Sequence, residues 1–155
     1  MKTENHFNNN NEARQILFHG GLMTLLSLLS GFTVYYALAP RISLSAHTVG
    51  LLQGATLIAI AGAWHLLNAS PSYLKIIKYT LLVGFYGNWI SLQLAGLWGA
   101  GKSDFPILGK DLPDGAAPWQ NLTVTALGYL AGFILVSAAL IAWAAFSKNK
   151  KQIQS

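Results

Sequence analysis

The chain has 155 residues, 53% of them hydrophobic and only 10% charged, whereas a soluble domain carries about 25% charged residues. Cysteine is absent, which excludes disulfides, iron–sulfur clusters, covalently attached haem and thiolate catalysis. The formal charge of +5 does not point to nucleic acid, because the basic residues lie between apolar runs rather than on one face.

The first 15 residues, MKTENHFNNNNEARQ, are polar and include a low-complexity Asn run, so they read as a disordered tail. Four apolar segments follow: Ile16–Ala39, Ser45–Leu67, Ile76–Ala100 and Asn121–Phe146. Each exceeds the ~20 residues a helix needs to cross the hydrocarbon core. They are too long and too continuous for strands. The expected fold is all-α: a membrane-embedded four-helix bundle with four transmembrane helices over 16–146, ending in a basic tail over 147–155. Gly101–Gln120 is the one long connection. Pro106, Pro113 and Pro118 keep it irregular, and it reads equally as a lid or as a solvated external loop.

Charge sets the orientation. The N-terminal tail (Lys2, Arg14), the second connection (Lys75, Lys78) and the C-terminal tail (Lys148, Lys150, Lys151) hold seven basic residues. The other side has three, Arg41, Lys102 and Lys110. The positive-inside rule therefore places both termini in the cytoplasm. All five acids, Glu4, Glu12, Asp104, Asp111 and Asp114, lie outside the spans. A buried carboxylate pair or a carboxylate-ligated metal is not expected.

Polar chemistry inside the spans is sparse, and intramembrane ionisable residues are functional candidates by default. On a helix, Gly50, Leu51, Gly54, Ile58 and Ala61 fall within about 60° of His47. Two readings stay open from this spacing. One is a small-xxx-small packing face that lets two helices approach. The other is an imidazole ligating a flat cofactor over a glycine-floored groove. Asn88 lies near mid-depth in a stripe of Gly84, Gly87, Ser91 and Ala95. An unpaired amide there costs roughly 2–7 kcal/mol, so it needs a partner in a neighbouring helix or a ligand. The stripes Gly20/Thr24/Ser27/Gly31 and Gly128/Gly132 read as packing. His19 and His65 lie near one interface and read either as hydrated boundary residues or as the axial pair of a b-type cytochrome. Zinc, phosphate-loop and G-x-S-x-G motifs are absent.

The stretches APRISLSAHTVGLLQG (39–54) and GFYGNWISLQLAGLWGAG (84–101) resemble those of the hydroxylaminobenzene mutases, small four-span bacterial membrane proteins. A more distant likeness is to styrene oxide isomerase, where a second-helix histidine holds a haem b between subunits of a trimer. The resemblance implies an inner-membrane enzyme that rearranges a small aryl hydroxylamine to an aminophenol without net redox. It implies haem b on His47 beside Gly50 and Gly54, with Gln53 and Asn88 as catalytic hydrogen-bonding residues, in a homo-oligomer, a trimer. Two positions depart from the mutase pattern: Val49 stands where an acid is common, and Gln53 where Asn is usual. The alternatives are an epoxide isomerase and, from another class, a non-catalytic b-type cytochrome or structural membrane protein.

Overall fold

The computed structural model describes residues 2–105, 107, 110, 112 and 115–147, with side chains from residue 11 onward. Helix α1 spans Lys2–Ser30 and tightens into a 3₁₀ segment, Gly31–Tyr36. Helix α2 spans Pro40–Ala63, followed by a 3₁₀ turn at Trp64–Leu66, and α3 spans Pro71–Trp98. Helices α4 (Pro118–Tyr129) and α5 (Gly132–Phe146) follow the long connection. Among the described residues there is no strand. Pro40, Pro71 and Pro118 each open a helix, where a missing N–H costs nothing and φ is already helical. Gly99, at φ 62°, ends α3 in the left-handed conformation that only glycine adopts without strain.

Three helical stretches are long and apolar enough to cross a membrane: Asn11–Tyr36, Pro40–Leu66 and Pro118–Phe146. Helix α3, with 28 residues, is long enough but is not among them. The reason is its position. It packs against α1, α2, α4 and α5, and it buries polar Lys78, Ser91 and Gln93 along with its apolar residues. The outer helices instead expose large apolar side chains, among them Leu25, Leu29, Phe32, Leu52, Leu122, Leu135 and Phe146. A helix apolar on its outward face suits a hydrocarbon surround.

Helices α1 and α2 run antiparallel in one register. Partners step forward on α1 as they step back on α2: Gly20 against Ile58, Thr24 against Gly54, Ser27 against Gly50 and Gly31 against His47. A Cβ at Gly54 would stand 2.9 Å from the Thr24 backbone nitrogen and 3.0 Å from the Gly20 carbonyl. The glycine face of α2 is therefore a helix–helix seam, as the packing reading expects.

Helices α4 and α5 form one apolar stretch with a break at Leu130–Ala131. There the amides of Leu130, Ala131, Phe133 and Ile134 bond three residues back, at 2.9–3.1 Å, instead of four. The tightened turn seats on α3. A Cβ at Gly87 would meet Leu130, and one at Gly84 would come within 2.9 Å of the Ile134 amide nitrogen. The small residues of α3 thus receive the break, which Gly128 and Gly132 flank.

The polar segment expected as a disordered tail is helical from Lys2. Its inner end has a physical anchor. Lys78, only 4% exposed, places Nζ 2.5 Å from the Glu12 carboxylate and 2.6 Å from Gln15 Oε1. Lys78, counted above as a topological charge, is a buried ion-pair partner. Of the basic tail expected over 147–155, Ser147 bonds the Asn68 carbonyl at 2.7 Å, and 148–155 lies outside the described residues.

Gly54→Val puts a branched side chain against backbone on α1, so the two helices must part. We expect its unfolding midpoint to fall, at a cost of about 1–3 kcal/mol as in other overpacked interiors. Gly62→Ala, in open space on the same helix, should leave the midpoint unchanged. Thermal unfolding in one detergent compares them, and an unchanged midpoint for Gly54→Val contradicts the close crossing.

Candidate active site

The last four carbonyls of a helix have no partner within it, and those of α1 include Ser27. Its oxygen accepts the Ser30 hydroxyl at 2.7 Å and meets His47 Nδ1 at 2.6 Å. A carbonyl only accepts, so Nδ1 carries the proton and Nε2 keeps its lone pair. Nε2 has no hydrogen-bond partner among the described residues. The ring is half-buried and lies against Gly31, where a Cβ would stand 3.1 Å from Nδ1 and 3.2 Å from Cε1. The result is an oriented imidazole with one nitrogen to spare.

Around it, α2 brings polar atoms into a dry seam. Gly50 has no Cβ where the Ser27 hydroxyl and the Trp89 indole nitrogen approach, the latter 2.6 Å from the Cβ position. One turn further along, Gln53 is 6% exposed. The Ser27 hydroxyl, the Trp89 N–H and the Gln53 carbonyl oxygen are all buried and have no hydrogen-bond partner among the described residues. Each such group costs roughly 1–3 kcal/mol. Gln93 is half satisfied: its amide nitrogen reaches Thr33 Oγ1 at 2.5 Å, while its carbonyl oxygen, like that of Gln53, has no partner among the described residues.

Haem b asks two things of this face, and the residues answer differently. The donor fits: Nδ1 tied to a carbonyl and a free Nε2 is how a protein orients an imidazole ligand. The glycine floor does not fit. Gly50 and Gly54 are covered from within the chain by Ser27, Trp89 and Thr24, leaving no groove along them.

Asn88 lies elsewhere. It faces a cavity of about 260 Å³ between α3 and α4, lined also by Ser91, Asp104, Phe105, Thr125 and Tyr129. His47 and Gln53 do not line it. Ser91 spends its hydroxyl on the Val124 carbonyl at 2.8 Å, while Asn88 makes no hydrogen bond among the described residues. Helical spacing foresaw that Asn88 needs a partner, yet no neighbouring helix supplies one. Asp104 enters from the long connection. Gly101, at φ 83°, turns the chain, its amide bonds Asn121 Oδ1 at 2.8 Å, and its carbonyl accepts the Asp104 and Phe105 amides. Asp104 Oδ2 then accepts the Thr125 hydroxyl at 2.6 Å. An exposed carboxylate therefore stands at the rim of this cavity, which the linear order of acids and spans concealed.

The other histidines have separate partners. His19 Nδ1 lies 3.1 Å from the Tyr86 hydroxyl, and His65 Nδ1 lies 3.1 Å from the Gly62 carbonyl on the exposed end of α2. Among the described residues no cluster of three His, Asp or Glu side chains forms a metal site.

The family description that matches, styrene oxide isomerase, covers residues 12–146. The chain belongs to the styrene oxide isomerase family. The matched region begins at Glu12, the partner of Lys78, and ends at the last residue of α5. This family member is 36% identical over 131 residues to hydroxylaminobenzene mutase HabB of Ectopseudomonas oleovorans, covering 84% of this chain and 79% of that one. It is also 36% identical over 92 residues to hydroxylaminobenzene mutase HabA of the same organism, covering 59% and 68%. No solved structure matches it. With such relatives and its apolar helices, this styrene oxide isomerase family protein is a membrane enzyme of the isomerase or mutase kind.

The His47 tautomer is measurable directly. Nitrogen-15 spectra of histidine-labelled protein should show His47 protonated at Nδ1 and bare at Nε2. The opposite tautomer would remove the Ser27 bond and with it the oriented free nitrogen.

Proposed function

We propose that this protein is a four-span inner-membrane mutase that rearranges an aryl hydroxylamine to an aminophenol. The observation that carries the reading is the 36% identity over 131 residues to a protein named hydroxylaminobenzene mutase. Helix α3 serves as the remaining span, its polar groups turned to the bundle and its 28 residues covering about 42 Å at 1.5 Å per residue. The basic residues favour cytoplasmic termini even with Lys78 set aside. The exposed aromatics of the 3₁₀ segment beside His47, Phe32, Tyr35 and Tyr36, suit a homo-oligomer, a trimer in the resemblance.

The rearrangement breaks the N–O bond and forms a C–O bond on the ring. The ring carbon gives up a proton, the nitrogen gains one, and no electrons are gained or lost overall. His47 is the residue that would hold haem b, through Nε2. The iron, when bound, supplies a Lewis acid toward a departing oxygen. The protein's own part is positioning and water exclusion. The free Gln53 carbonyl oxygen, near His47, can accept from an N–H or O–H, while the Asn88 amide, facing the separate cavity between α3 and α4, can both donate and accept. The apolar walls keep bulk water from a reactive cation.

Membranes holding the protein should convert phenylhydroxylamine to an aminophenol. Faster isomerisation of styrene oxide than of the hydroxylamine replaces this reading with the epoxide one. His47→Ala should lose haem absorbance and turnover together, while His65→Ala keeps both. Gln53→Leu should keep the absorbance and lower turnover, by roughly 10²–10³ if its hydrogen bond stabilises developing charge. A folded His47→Ala protein with full haem rules out the ligand assignment.

A further inference from the structure

The cavity between α3 and α4 has a chemical character of its own. Its volume of about 260 Å³ falls just below the roughly 300–1,000 Å³ of pockets for drug-sized ligands, which suits one substituted ring. The half-buried Phe105 and the largely exposed Tyr129 supply aromatic surface, and no basic residue is among the lining residues. Two polar groups are left with capacity. Asn88 has its whole amide unspent. Asp104 has given one oxygen to Thr125, and a carboxylate accepts about four hydrogen bonds.

That combination sorts ligands by what they can donate. A carboxylate accepts only, so it welcomes N–H and O–H groups and repels the bare oxygen of an ether or epoxide. We propose that this cavity is an ancillary subsite, on a different face of α3 from the His47 seam where the N–O bond would break, that holds the nitrogen-bearing end of an aromatic amine or hydroxylamine, and that Asp104 selects such donors over epoxides. Asn88 takes the second polar substituent, and the ring lies among Phe105 and Tyr129. The ligand's identity rests on the mutase reading; the donor selectivity rests on Asp104 and Asn88. Asp104 is a specificity residue on a turn that Gly101 and Asn121 hold in place, so the pattern of acids along the chain gives no hint of it.

The experiment uses the full chain in lipid nanodiscs and 4-azidoaniline as a photolabel, which reports occupancy without turnover. Peptide mapping should place the label on the segments carrying Phe105 and Tyr129. Aniline or 2-aminophenol should compete it away, and styrene oxide should not. Asp104→Asn keeps the shape and loses the charge, so labelling at a fixed low probe concentration should fall about two- to fivefold, the worth of a charged contact at an exposed site. Asn88→Leu should also reduce it. Label confined to other segments, equal competition by styrene oxide, or wild-type labelling of Asp104→Asn overturns the proposal. A protein that labels as expected but leaves phenylhydroxylamine unchanged keeps the subsite and loses the mutase reaction. One that rearranges phenylhydroxylamine but labels elsewhere does the reverse.

Discussion

The close antiparallel crossing of α1 and α2 at Gly20 and Gly54 is the constraint from which the histidine site follows. Seven residues after Gly20 comes Ser27, and seven before Gly54 comes His47. Two helical turns from the crossing, moving the same way along both helices, a carbonyl near the end of α1 meets an imidazole near the start of α2. A wider crossing would lengthen the 2.6 Å contact and free the ring to rotate. Gly31 and Gly50 extend the same requirement: one admits the imidazole to the backbone, the other admits Ser27 and Trp89 to α2. Glycines that look like a cofactor floor in one dimension are spacers that set a side chain in three.

Helix α3 carries the second constraint. It touches every other helix, so its polar residues can be placed inside the protein rather than in lipid. On one side Trp89 reaches Gly50, and Gly96 lies against Ser43 at 2.7 Å from the Cβ position to the backbone nitrogen. On the other side Gly84, Gly87 and Ser91 receive α4 and α5. Asn88 and Trp89 are consecutive residues about 100° apart on the helix, so the histidine seam and the amide cavity lie on different faces of α3. A bundle helix with such duties on two faces carries buried polar side chains along its length.

Much of the fold was legible because apolar length and proline placement are local properties. The face shared by His47, Gly50, Gly54 and Ile58 was legible too, since period 3.6 fixes which residues point together. What covers a face is not periodic information. For Gly50 and Gly54 the cover is α1, and for Asn88 it is an open cavity. The Glu12–Lys78 pair escaped notice for a related reason: its members look like a tail charge and a loop charge until α1 and α3 pack together. Asp104 needed the most tertiary information of all, a left-handed glycine and an asparagine twenty residues away.

Unspent polar atoms link these observations to chemistry. In a bundle of this size nearly every buried donor and acceptor ordinarily finds a partner. Here Ser30, Thr24, Thr80, Ser91 and Ser137 obey, bonding backbone carbonyls at 2.7–3.2 Å. The exceptions fall in more than one place: Ser27, Gln53 and Trp89 lie on the helix turns near His47, the Gln93 carbonyl oxygen and the Trp64 N–H are also unpaired among the described residues, and Asn88 faces the cavity beside Asp104. Unsatisfied groups weaken an apolar bundle, and those beside His47 are the ones that a ligand held there could satisfy. The Trp89 N–H lacks an acceptor and the Gln53 carbonyl oxygen lacks a donor, so a ligand entering the His47 seam would have to supply both, whereas the Asp104 carboxylate asks only for donors.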